Sequence, residues 1–178
     1  MLTLKAGTSI KGFLSDRKGI TLLELLVVIV ILGSVAAIVA PKLSAFEGFM
    51  LDSEARKVAG LLRYLDESAT TKNVYYRVWF RPDEESFYVE SSPDGAEFKG
   101  VKDGFLKGYK FRAGIEIEDI MVAGLGKVEN GEVSVVFNPG AGAGPFALHL
   151  KKSGNGLTIS YNPYSGKVAI KQGYIGLI

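Results

Sequence analysis

The chain has 178 residues, no cysteine, one histidine and a formal net charge of +2. The absence of cysteine excludes disulfides, thiolate metal sites and cysteine nucleophiles, and a single histidine excludes a multi-histidine metal centre. The charge is unevenly divided. Residues 1–19 carry +3, so the rest of the chain carries −1, which removes the main support for a general nucleic-acid-binding function. The charged residues of that first segment are Lys5, Lys11, Asp16, Arg17 and Lys18.

A hydrophobic stretch runs from Ile20 to Ala40, just after the basic segment. It is long enough to cross a bilayer as an α-helix, and the basic residues before it predict a cytoplasmic flank. One carboxylate, Glu24, lies inside it. A carboxylate near mid-membrane costs roughly 2.5–3.5 kcal/mol and less near an interface, so a functional role is expected for Glu24.

Two general interpretations of this stretch leave Glu24 without a role. The first is a plain signal anchor with a domain outside the membrane. The second is a secretory signal peptide cut after Ala36, Ala37 or Ala40. The apolar run is longer than the usual signal-peptide core of about 7–15 residues, and Pro41 is unfavourable just after a cut at Ala40.

Beyond the hydrophobic stretch, the sequence predicts a second helical segment over residues 42–72. Pro41 lacks a backbone N–H and is expected to bend or interrupt the helix near Ala40. Apolar side chains then recur at the spacing of one helix face, which predicts an amphipathic helix that continues the membrane segment and packs on a sheet. These side chains are Ala55, Val58, Ala59, Leu62, Leu65 and Ala69.

The hydrophobic period changes to two at Asn73, where Val74, Tyr76, Val78 and Phe80 alternate with more polar residues. Turn signals separate the further strands that we predict. Those strands are Ser86–Ser91, Tyr109–Ile117, Glu132–Asn138, Phe146–Lys151, Leu157–Tyr161 and Lys167–Lys171. A long helix followed by antiparallel strands predicts an α+β fold, with a β-rich head domain over 73–178.

The segment RKGITLLELLVVIVILGSVAAIVAP resembles the N-terminus of type IV prepilins and type II secretion pseudopilins. The resemblance implies a leader over 1–19, cleavage by a prepilin peptidase between Gly19 and Ile20, and N-methylation of Ile20. The family usually begins its mature chain with Phe, so Ile20 is a departure. Residues 20–41 become the transmembrane and assembly helix, in which Gly33 and Pro41 occupy the kink positions of pilin helices.

Cleavage after Gly19 would give Glu24 a physical role. The new ammonium of Ile20 and the Glu24 carboxylate lie within about one helical turn. When subunits leave the bilayer for a filament, the Glu24 of one subunit can pair with the N-terminus of its neighbour. An unpaired charge is penalised in a low-dielectric core, so this pairing would set the axial register of assembly.

Three later segments resemble the GspH/FimT group. They are VAGLLRYLDESATTKNVYYRVWF, VVFNPGAGAGPFALHL and LTISYNPYSGKVAIK. This resemblance implies a non-enzymatic minor pseudopilin without cofactor or metal, spanning the inner membrane once, with a periplasmic head at or near the pseudopilus tip. Its expected partners are the peptidase, other minor and major pseudopilins, the inner-membrane assembly platform and secreted substrates. The alternative is a FimT-like minor type IV pilin acting in pilus assembly or DNA uptake; DNA is not the expected partner.

Four features of the head suggest sites but favour simpler interpretations. His149 is expected on the strand surface, and the glycine-rich run 138–145 is expected to be a flexible connection. Glu116, Glu118 and Asp119 resemble a Ca²⁺ ligand set but are expected on a solvated strand face. The four lysines after position 145 are expected on a solvated face, and the apolar C-terminus is expected to cover the sheet edge or meet a partner.

Overall fold

The computed structural model describes residues 21–102, 104 and 106–177, apart from the side chains of 40–47. The chain divides into two units, 1–40 and 41–178, which are considered one at a time. The helix α1, Leu22–Lys72, contributes to both. Gly33 and Pro41 both lie within this helix, so the helix is not interrupted there, and a kink at either residue stays a prediction.

In the first unit, every described side chain of α1 is exposed, including large apolar ones such as Leu22, Ile29 and Ile38. The window Leu22–Val39 is long and apolar enough to cross a membrane, judged by length and composition. Among the described residues of this unit, no side chain is buried. Such a helix surface is consistent with a membrane anchor.

The second unit contains ten strands among the described residues, arranged in two antiparallel sheets. The strands are β1 Tyr75–Arg81, β2 Ser86–Ser92, β3 Lys99–Gly100, β4 Gly108–Lys110, β5 Glu116–Val122, β6 Gly126–Val128, β7 Val133–Phe137, β8 Phe146–Lys152, β9 Asn155–Asn162 and β10 Lys167–Gln172. The first sheet has the order β3-β2-β1-β7, with β4 also paired to β2; the second has the order β10-β9-β8-β5-β6. The predicted α+β plan is therefore confirmed.

One hydrophobic core joins the helix to both sheets. The predicted apolar stripe of α1 is buried along its whole length, from Ala55 to Ala69. Phe146 on β8 connects the two sheets, because its ring centroid lies 6.2 Å from that of Phe80 on β1 and 6.3 Å from that of Phe137 on β7. The alternating residues of β1 and β8 thus supply the two inner faces of a single core.

Two carboxylates of α1 attach the helix to one tyrosine in each sheet. Tyr109 on β4 donates a hydrogen bond of 2.8 Å to Glu54, and Tyr161 on β9 donates one of 2.8 Å to Asp66. Glu54 is fully buried although it is charged, and it also contacts Lys57 at 2.8 Å and Arg112 at 3.1 Å. Burial together with the nearby carboxylate raises the pKa of Tyr161 to about 12. Both tyrosines therefore act as donors at neutral pH.

The predicted strand Tyr109–Ile117 is wrong. The chain leaves the first sheet after β4, turns through Gly114 with a φ of 82°, and enters the second sheet as β5. The bond from the Ile115 N–H to the Arg112 carbonyl, 3.0 Å, closes this turn. Apolar and polar residues alternate on both sides of the turn, which led to the prediction of one continuous strand. The two sides belong to strands of different sheets. The short strands β3 and β6 were not predicted.

The glycine-rich run 138–145 connects β7 to β8, as the sequence suggested, and residues 138–142 form a hydrogen-bonded turn within it. The flexibility of the run stays a prediction. Asn138 and Gly142 exchange two backbone hydrogen bonds, of 2.8 and 3.0 Å, and the Gly140 N–H lies 3.4 Å from the Thr70 hydroxyl of α1. Gly142 has a φ of 64°, and a Cβ atom there would lie 2.3 Å from the hydroxyl oxygen of Tyr161. The turn is thus built against the tyrosine that attaches the second sheet to α1.

We expect Gly142→Ala to destabilise the head by about 1–3 kcal/mol, because it strains the backbone and displaces the Tyr161 hydroxyl. Gly144→Ala is the matched control, since Gly144 has space for a Cβ and its φ lies outside the left-handed region. Urea unfolding of the full chain in detergent, followed by the fluorescence of its single tryptophan, measures both variants. Equal stabilities of the two variants would contradict the role assigned to this turn.

Candidate functional site

The N-terminus of α1 is capped by Thr21. The Thr21 carbonyl accepts a hydrogen bond from the Leu25 N–H, 3.1 Å, which makes Thr21 the N-cap residue. Its side-chain oxygen lies 3.2 Å from the Glu24 backbone N–H, which donates to it. The order Thr-x-x-Glu is a known helix-start signal that the sequence analysis did not use. It places the Glu24 carboxylate in the first turn, where the helix dipole favours a negative charge.

The structure describes only some of the residues that are predicted to act in assembly. Gly19 and Ile20, the predicted cleavage and methylation positions, lie outside the described residues. Glu24 is exposed at the start of α1, and within the described part of the chain no side chain forms an ion pair with its carboxylate. Gly33 lies on the exposed helix surface, with nothing within 4 Å of the position its Cβ would take. Cleavage, methylation and registration therefore stay predictions.

His149 is buried, so the prediction of a surface histidine is wrong. Its exposed fraction is 1%, and its Nδ1 lies 2.6 Å from the carboxylate of Asp119, which is also fully buried. Its Nε2 lies 2.9 Å from the Ile175 carbonyl, and its ring stacks on Tyr174 with a centroid distance of 3.9 Å. The C-terminal segment thus covers the outer face of the second sheet, which no local pattern around His149 could reveal.

The acidic residues of β5 do not share one solvated face. The register between β5 and β8 shifts between Ile117 and Asp119, which marks a bulge at Glu118. Glu116 stays exposed and pairs with Lys151 at 3.4 Å, whereas Asp119 is moved beneath the C-terminal segment. Within the described residues, no three His, Asp or Glu side chains are grouped as metal ligands usually are.

The basic residues after position 145 have different environments. Lys151 pairs with Glu116, and Lys152 is almost buried and donates a hydrogen bond of 2.9 Å to the Ala113 carbonyl. Lys167 and Lys171 on β10 are exposed, and within the described residues neither has an acidic partner. The predicted solvated basic face therefore reduces to these two lysines.

Comparison with known proteins gives a match to the N-terminal motif and a similarity of fold. Residues 14–40 match the model described as the prokaryotic N-terminal methylation motif. No curated protein matches the chain at a significant level. Two solved structures of the minor pseudopilin EpsH from the type II secretion system of Vibrio cholerae are similar to it, with TM-scores of 0.55 and 0.56 at 12% identity. The matches cover 68% of this chain and 94% and 95% of the two EpsH chains.

The buried pair of Asp119 and His149 leads to a prediction about the stability of the head. His149→Leu leaves the buried Asp119 carboxylate without its histidine partner, although Lys127 remains 3.3 Å away, and should destabilise the head by about 3–5 kcal/mol. The double variant Asp119→Leu/His149→Leu should recover most of that loss, since an apolar pair of similar volume needs no compensation. Urea unfolding of the four members of this double-mutant cycle gives the coupling.

The control is Lys151→Leu, which lies on β8 like His149. It should change the free energy of unfolding by no more than about 1 kcal/mol, because the ion pair of Lys151 with Glu116 is exposed. Additive losses in the two single variants would show that the two side chains are not coupled.

Proposed function

We propose that this chain is a minor pseudopilin of a type II protein secretion system. The observation that supports it is the combination of an N-terminal methylation motif with a pseudopilin-like head in one chain. Both features together support the type IV pilin and pseudopilin superfamily, and the similarity to EpsH favours a GspH-like member. In this proposal the protein catalyses no reaction; it is processed by a peptidase and then becomes part of an assembly.

The exposed apolar surface of α1 is suited both to the membrane-bound precursor and to the assembled filament. Before assembly, the exposed apolar surface of Leu22–Val39 is covered by lipid, and the head lies in the periplasm. In the pseudopilus, the same surface packs against the helices of other pseudopilins. Glu24 is then the one acidic residue in the window Leu22–Val39, so its carboxylate needs a cation from another subunit. The methylated ammonium of a neighbouring Ile20 is the partner that we propose.

Processing is tested by co-expression with a prepilin peptidase. Cleavage between Gly19 and Ile20 should remove about 2 kDa of the 19.2 kDa chain and leave Ile20 as the N-terminus. Gly19→Ala should abolish the mobility shift, because the proposed peptidase site needs the residue without a side chain at that position. Gly33→Ala, a glycine with open space around it, is the control and should be processed normally. Unchanged mobility of the unaltered chain would overturn the family assignment.

Registration is tested by replacing the carboxylate. Glu24→Leu should leave membrane insertion and cleavage intact while lowering incorporation into pseudopili at least tenfold, since the ion pair between subunits is lost. Crosslinking in sheared filament fractions measures the incorporation. Val28→Leu, one turn further along the same exposed helix, is the matched control. Normal incorporation of Glu24→Leu would remove the registration role.

The second candidate function is that of a FimT-like minor type IV pilin in pilus assembly or DNA uptake. The observation in its favour is the absence of Asp and Glu from residues 145–178, together with the exposed Lys167 and Lys171, for which no ion pair is found within the described residues. Two lysines are few for a duplex, whose binding is usually supported by several phosphate contacts. Tight, salt-sensitive binding in a mobility-shift assay would favour this candidate.

A further inference from the structure

A pocket of about 350 Å³ opens on the outer surface of the second sheet. Ser160 on β9 and Ala169 on β10 lie directly opposite each other and contribute only small side chains to it. The C-terminal segment forms one wall through Ile175 and Leu177. The volume is that of a small ligand-binding cleft, and it accommodates one or two side chains of a partner.

The border of the pocket is positively charged. Lys167 and Lys171 both line it, about 13 Å apart along β10 by the rise of a β-strand. Their side chains are exposed, and neither has an acidic partner within the described part of the chain. No Asp or Glu occurs between Pro145 and the C-terminus, and none lines the pocket. Asp66 and Glu67 of α1 line a separate cleft that also includes Lys167.

An unusually exposed aromatic residue completes the border. Tyr164, in the turn between β9 and β10, has an exposed fraction of 98%, and its backbone N–H is fixed by the side-chain oxygen of Asn162 at 2.9 Å. The turn thus holds the ring in solvent beside the pocket. Tyrosine is among the residues that most often anchor protein interfaces, because it buries a large rigid surface and keeps a polar end.

We propose that this pocket binds a segment of a partner protein in which an acidic residue is next to an apolar side chain. The apolar side chain enters between Ala169 and Leu177, the carboxylate pairs with Lys167 or Lys171, and Tyr164 packs over the segment. The concave apolar lining favours a peptide over nucleic acid, since no arginine lines the pocket and its two lysines supply few phosphate contacts. This binding is independent of helix-mediated assembly and of the role of Glu24.

The experiment is a selection from a phage-displayed library of random dodecapeptides on the full chain in detergent micelles. We expect selected peptides to be enriched in Asp or Glu beside Leu, Ile or Phe. The best peptide, labelled for fluorescence anisotropy, should bind at least tenfold more weakly to Lys167→Glu/Lys171→Glu and to the pocket-filling Ala169→Phe. Its affinity for the unaltered chain should fall as salt is added.

Matched variants keep the test informative. Lys99→Glu/Lys110→Glu makes the same charge change on exposed strands of the other sheet and should bind the peptide as the unaltered chain does. Tyr164→Ala weakens binding without risk to the fold, because the ring contributes to no core. The proposal is overturned if no such peptides are enriched or if the pocket variants bind them normally. The proposal is also overturned if the unaltered chain binds duplex DNA and the Lys167→Glu/Lys171→Glu variant alone loses this DNA binding.

Discussion

The buried stripe of α1 is the contact on which the head domain depends. The two sheets bury their inner faces in the same core as this stripe. Its alanines, Ala55, Ala59 and Ala69, are fully or almost fully buried, and small side chains let strands approach a helix closely. Loss of this stripe would leave two antiparallel sheets, each with one large apolar face in water.

Polar contacts then fix the position of each sheet along that helix. Glu54 accepts from a tyrosine of the first sheet and Asp66 from a tyrosine of the second, and the two carboxylates are about 18 Å apart along the helix axis. Hydrophobic burial alone tolerates sliding, whereas a carboxylate that is buried, like Glu54, or half-buried, like Asp66, must meet its donor at one position. These two bonds therefore give the core its register, and the turn at Gly142 fixes the second of them.

The sequence predicted the parts of this fold that are governed by local periodicity. The stripe from Ala55 to Ala69 and the alternation in β1 and β8 are visible because burial repeats with the period of the backbone. Two failures had nonlocal causes. The bulge at Glu118 changed the face of Asp119, and the C-terminal segment covered His149 from 26 residues away. The methylation motif was recognisable because it is one contiguous run of residues that resembles a known family, so no tertiary contact is needed to identify it.

Three carboxylates of this chain lie in apolar surroundings, and they differ in the groups that compensate their charge. Glu54 and Asp119 are buried in the head and contact tyrosine, histidine or basic side chains of the same chain, so their cost is offset within the fold. Glu24 lies on an exposed helix surface, where, among the residues that the structure describes, only the helix terminus favours its charge. A carboxylate that is satisfied internally stabilises one molecule, whereas one that lacks an internal cation favours association with another.

The C-terminal segment links the buried pair to the surface of the head. Its Ile175 carbonyl faces His149, and the Ile175 N–H donates to the Thr158 hydroxyl at 3.0 Å, so both polar groups of one residue are fixed on the sheet. The next residues, Gly176 and Leu177, form a wall of the pocket beside β10. The segment that forms this wall is therefore attached by several contacts, which come from His149 and from the Thr158 hydroxyl. The buried histidine, which the sequence did not predict, is one of the groups that position the wall of the pocket.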